Sequence, residues 1–270
     1  MDEIASGIMI NAAQWLFVVV VWGACFAAMA RAARMIGSAD EIGVSFKKEL
    51  QSAGRIAAGL GSVQLMVLLM GYWHPQWSWA KDFAWGYLAG SVALPFLWGC
   101  GKADAARLNW PWQPGGNFLR KCAVAGGIIL ILSALTLTLL RFSGATEGAT
   151  VKAAESRAPS DLAAALMIGY LILNGPWLEE LVFRHCLLPW LARWWGGGRI
   201  ATVAAVVVTS VVFAGGHAGH VDPAWPKLLQ VTAWGLVLAW ARVAWGSGWA
   251  IGLHLAWNLI SPVVALLWRA

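Results

Sequence analysis

The sequence predicts an all-α fold, a polytopic transmembrane helix bundle of about eight spans. Composition and pattern predict it together. The 270 residues are 60% hydrophobic and only 12% charged, about half the charged share of an ordinary soluble domain. The apolar residues gather into long runs, and about 20 such residues cross a bilayer core. The charged residues fall between the runs, where topology determinants sit.

Eight runs qualify, over 7–30, 55–73, 83–100, 120–140, 162–182, 200–219, 226–245 and 248–268. The first follows Asp2 and Glu3 and lacks the basic leading region and small-residue cleavage pattern of a secretory signal, so it reads as a retained span. The connector 31–55, with Lys47-Lys48-Glu49, reads as an amphipathic cytoplasmic segment. The first four runs are almost free of charge in their interiors, where the polar content is Ser, Thr, Gln and Gly, and small residues let helices approach closely. Residues 143–161 read as a flexible hydrophilic loop whose Pro159-Ser160-Asp161 supplies N-cap chemistry for the fifth run. That run is interrupted at Asn174-Gly175-Pro176, where Pro suits the first turn of a restarted helix reaching about Trp195. The last three runs follow with short connections. The organisation expected is one membrane domain, with scaffold spans in 1–158 and chemical spans in 159–270, about four in each.

A net charge of +6 suggests nucleic acid only if the basic residues cluster on a folded face. Here they do not, so no nucleic-acid partner is expected. Loops after odd-numbered runs hold twelve Lys and Arg against six on the other side, which places the odd loops in the cytoplasm and both termini outside. The expected location is the cell membrane, multi-pass, with the lipid bilayer as constant partner. Twenty tryptophans, many at run ends, read as an interfacial belt. Cys25, Cys100, Cys122 and Cys186 form no C-x-x-C and read as buried apolar thiols.

Three polar pairs at i,i+4 spacing interrupt the apolar second half: Glu179-Glu180-Leu-Val-Phe-Arg184, Phe213-Ala-Gly-Gly-His217 and His254-Leu-Ala-Trp-Asn258. Ionisable groups are costly in a membrane and mark working cavities. Glu180 and Arg184 have the favourable acid-first order, so Glu180 is held by Arg184. Glu179, pointing about 100° away on an ideal helix, is left to face a cavity. Desolvation makes such a carboxylate a better base. His254 and Asn258 share one helix face and offer preorganised donors for a developing oxyanion, each worth about 3 kcal/mol in a dry site. Taken singly, each pair has a structural reading as well, as a salt bridge or as polar glue between helices. His220 reads as interfacial and not catalytic. Ser247 as a partner of His254 leaves both glutamates unexplained, and the absence of H-E-x-x-H excludes a zincin site. A ruler raises one difficulty: His217 lies about 25 Å up its span at 1.5 Å per residue, while His254 enters from the same side. One of those helices must be broken, tilted or longer than the apolar run.

The three motifs, in this order, resemble the CPBP (Abi) family, which includes the type II CAAX prenyl endopeptidases, glutamate-dependent intramembrane proteases. The resemblance covers roughly 160–262. It implies that Glu179 and His217 orient and deprotonate water, that His254 and Asn258 hold the oxyanion, and that Glu180, Arg184 and Phe213 support them. No cofactor is expected; the alternative is a divalent metal such as zinc on Glu179, His217 and His254, though Asn258 fits an oxyanion role better than a ligand role. His185 departs from the family's usual Gly and bears on helix contact or on a polar group beside the cavity. The expected substrate is a membrane-associated peptide or protein: a CAAX-type C-terminus, a bacteriocin-related peptide or a C-terminal sorting signal. The competing expectations are a non-catalytic immunity or scaffold protein of the same fold, and a proton-relay transporter.

Overall fold

The computed structural model describes residues 2–36, 41–73, 78–110, 117–147 and 174–269. The helices are α1 (Asp2–Ile36), α2 (Glu41–Trp73), α3 (Ser78–Arg107), α4 (Phe118–Phe142), α5 (174–180), a π-helical segment (Leu181–Leu187), α6 (Leu188–Trp194), α7 (Gly198–Gly215), α8 (Trp225–Trp245) and α9 (Ser247–Arg269). Two-residue strands β1 (Thr146–Glu147) and β2 (Val221–Asp222) complete the order. The fold is all-α in architecture. Among the described residues, Leu50–Leu69, Phe118–Phe142, Gly198–Gly215 and Trp225–Trp245 are long and apolar enough to cross a membrane.

Several expectations change in detail. The connector 31–55 is no separate segment, because α1 continues to Ile36 and α2 already begins at Glu41. The hydrophilic loop after α4 opens with order: β1 pairs antiparallel with β2, Thr146 opposite Asp222 and Glu147 opposite Val221. Leu140, Ala145 and Val221 bury a small cluster beneath that ladder. Residues 148–173, including the Pro159-Ser160-Asp161 cap and most of the fifth run, lie outside the described residues.

The contacts divide the chain into two compact units, one of 21–110 and 156–202, the other of 1–20, 111–155 and 203–270. In the first, α2 and α3 pack through small residues: Ala53, Ala57, Leu94 and Leu181 form a core with Leu60, Trp98 and Trp177 against it. α3 also approaches the acid helix closely. A Cβ on Gly90 would lie 2.5 Å from Leu178 Cδ2, and one on Gly101 would strike the His185 carbonyl oxygen.

In the second unit, α4, α8 and α9 share a core of Ala125, Ile129, Trp234, Leu238, Ala241, Leu253 and Trp257. The Trp234 and Trp257 rings pack at 4.9 Å, tilted by 34°. α4 starts at Asn117, whose side chain accepts from Arg120 N–H, and Asn is a preferred cap. It ends where Gly144 takes φ of 61°, a conformation suited to glycine. α8 ends at Gly246, whose φ of 96° reverses the chain within one residue into α9. Leu130, Ile131 and Leu135 on α4 point outward. Such a face is stable against lipid and costly against water.

Candidate active site

The first unit carries the acid motif. α5 begins at Asn174, whose Oδ1 accepts from the buried Gln64 Nε2 at 3.1 Å and so ties α5 to α2. Pro176 stands in its first turn, and Glu179 follows half-buried. Arg184 Nη1 donates to Glu180 Oε1 at 2.8 Å, with both side chains 1% exposed or less. The expected pairing therefore holds, and it is fully enclosed. From Leu181 the helix widens to a π-helix, which runs through Arg184 and His185. Such segments are rare, frequently mark functional sites, and leave no sequence signature at this one.

His185 serves helix contact. Its ring is buried, Nε2 donates to the Trp98 carbonyl at 2.9 Å, and the ring lies 5.1 Å from the Trp98 ring. Gly101 permits this, since no side chain fits between α3 and the His185 backbone.

The sequence reading missed a charge cluster in the same unit. Asp104, fully buried, accepts from Arg31 Nη1 at 2.6 Å and Nη2 at 2.8 Å. Arg193 Nε sits 3.0 Å from Asp104 Oδ1 as a second ion contact, without hydrogen-bond alignment. The hydrogen bonds to Asp104 raise Arg31 above the ordinary guanidinium value, against the opposing effect of burial. The cluster joins the ends of α1, α3 and α6. Its members are 73 or more residues apart from α1 to α3, so no local pattern announces it. A weak signal was Asp104 itself, an acid among basic loop residues.

The second unit carries the imidazoles and the carboxamide. α7 stops at Gly215, and turns carry the chain through His217 to His220. His217 Nδ1 donates to the Phe213 carbonyl at 3.2 Å. That bond fixes the tautomer, so Nε2 is left as an acceptor. The Phe213 ring, buried, touches His217 at 4.9 Å and the edge of His254 at 5.8 Å and 86°. The second and third motifs therefore meet through Phe213, so the ruler difficulty does not keep them apart. His254 is buried and Asn258, one turn on, is half-buried.

His220 is closer to this group than expected. Its Nδ1 donates to the His217 carbonyl at 2.8 Å, and the two rings stack at 5.3 Å. Burial, reinforced by the Lys227 charge, pushes His220 down to about 4, against the effect of its bond to His217. Ser247 is the first residue of α9, about 10 Å along the axis from His254, too far for a direct dyad. Cys25, Cys100 and Cys186 are buried as expected, but Cys122 is exposed on α4. The two imidazoles, with Phe213 against both, are by themselves an incomplete zinc set.

Residues 161–260 match the family model described as Type II CAAX prenyl endopeptidase Rce1-like. That stretch is similar to the CPBP family. It contains all three motifs, from Glu179 to Asn258. No curated protein and no solved structure matches the chain. The family and the apolar helices together make this a membrane protein of protease class.

Proposed function

We propose that the protein is a multi-pass endopeptidase of the cell membrane, of the glutamate-dependent kind, acting on a membrane-associated peptide with a CAAX-type C-terminus. A bacteriocin-related peptide or a C-terminal sorting signal is chemically equivalent at the scissile bond. Glu179 and His217 Nε2 take the proton of a water as its oxygen adds to the scissile carbonyl. The negative charge that develops on that oxygen is met by His254 and Asn258, preorganised donors worth about 3 kcal/mol each. Collapse of the tetrahedral intermediate breaks the C–N bond, and the proton held by Glu179 and His217 passes to the leaving amine. Glu180 and Arg184 brace the acid motif without touching substrate.

One observation carries this reading: all three motifs are complete within a family match, and the first two carry internal bonds that suit their roles. Arg184 Nη1 donates to Glu180 Oε1. The Phe213 carbonyl leaves His217 Nε2 as acceptor. The test is cleavage of an identified peptide substrate in reconstituted bilayers by Glu179→Gln and His217→Ala. Loss of cleavage in both, with folding preserved, supports the protease. Full function of Glu179→Ala in a complementation assay would instead favour a binding or immunity role.

A further inference from the structure

We propose that Tyr87 of α3 is a positioning residue whose hydroxyl holds the Glu179 carboxylate over Gly175. The inference rests on the reading of Glu179 as the base. A point one Cβ bond above Gly175 lies 3.2 Å from Tyr87 Oη and 4.0 Å from Glu179 Oε1. The phenol and the carboxylate therefore converge on the same patch of backbone, and only glycine leaves that patch empty. Gly175 is buried, while Tyr87 and Glu179 are both half-buried.

The register that brings them together is fixed at three places along α3. Gly90, one turn beyond Tyr87, packs against Leu178, the residue before Glu179. Trp98 accepts the bond from His185, and Gly101 lies against the His185 backbone. A helix held at 90, 98 and 101 against 178 and 185 cannot slide, so Tyr87 is presented to the first turns of α5. Charge supplies the motive for the contact. A carboxylate gains from a directed donor, because bonds to ionised acceptors are the stronger kind. A phenol offers one directed O–H. By binding one carboxylate oxygen it turns the other outward, toward the water.

The test compares wild type, Tyr87→Phe, Gly175→Ala and Glu179→Gln in lipid bilayers. Tyr87→Phe keeps the ring and its packing. Gly175→Ala pushes the hydroxyl aside from within α5, where alanine is a good helix former. The Glu179 carboxyl band is identified by infrared difference against Glu179→Gln, and kcat and KM are measured on a peptide that wild type cleaves. The expected result is a shifted Glu179 band in both Tyr87→Phe and Gly175→Ala. With it goes a fall in kcat of about tenfold at unchanged KM, the size expected when one hydrogen bond to a charged group is lost. An unshifted band in Tyr87→Phe overturns the proposal whatever the rate. A shifted band combined with full cleavage by Glu179→Gln supports the contact and overturns the reading of Glu179 as the base.

Discussion

The acid motif and the imidazole motifs are built by opposite means. Glu180 and Arg184 form an enclosed ion pair inside a π-helical turn, each nearly without exposure. His217 and His220 are held by backbone carbonyls, and the Phe213 ring packs against His217 and His254. An enclosed charge pair is rigid and intolerant: removing one partner strands the other in low dielectric. Neutral rings on backbone bonds keep one nitrogen free and cost less to disturb. The first construction suits a brace and the second suits groups that exchange protons.

That contrast predicts where mutations hurt. Arg184→Ala leaves Glu180 buried without its cation and is expected to cost about 3–5 kcal/mol of stability. The check is the thermal midpoint in detergent, where little folded protein should remain. A stable Arg184→Ala would break the comparison at its root. Next in size, Asn258→Ala is expected to slow kcat by about a hundredfold at near-normal stability, since it removes one of the two proposed oxyanion donors. Equal losses of stability and rate would show Asn258 to be helix glue.

His185→Gly introduces the residue usual in the family but removes the bond to the Trp98 carbonyl and the ring contact. It is expected to lower stability by about 1–3 kcal/mol, read in the same melting experiment, with kcat little changed. The smallest effect concerns pH. His220 titrates near 4 when folded and near 6.5 when unfolded, so the unfolded state binds more protons between those values. Its contribution is complete above about 6.5 and is lost as pH falls toward 4. The thermal midpoint of wild type should fall across that window, and His220→Gln should flatten the fall. Identical pH slopes would remove His220 from the account.

Much of this was legible in the residues, for physical reasons. Helices α4, α7 and α8 follow apolar runs because a bilayer-length run has few other ways to satisfy its backbone. Glu180 and Arg184 were legible because i,i+4 neighbours meet on any helix. The π-helical turn was not, since nothing in Leu181–Leu187 distinguishes it from ordinary helix. The Arg31–Asp104–Arg193 cluster depends on three distant helix ends meeting. The β1–β2 ladder is two residues long on each side, too short for any period to show. His185 stood out only as a departure from a family pattern. Its packing role needed the bare face of Gly101, one of thirty glycines.

The central claim is that the carboxylate of the first motif and the imidazole of the second serve one water. A double-mutant cycle on kcat/KM tests it most directly, with Glu179→Gln, His217→Ala and the pair, in bilayers. Groups acting as a unit are strongly non-additive. The account predicts a double variant no slower than the slower single one. Losses that multiply, so that the double variant falls by the product of the two, would contradict it.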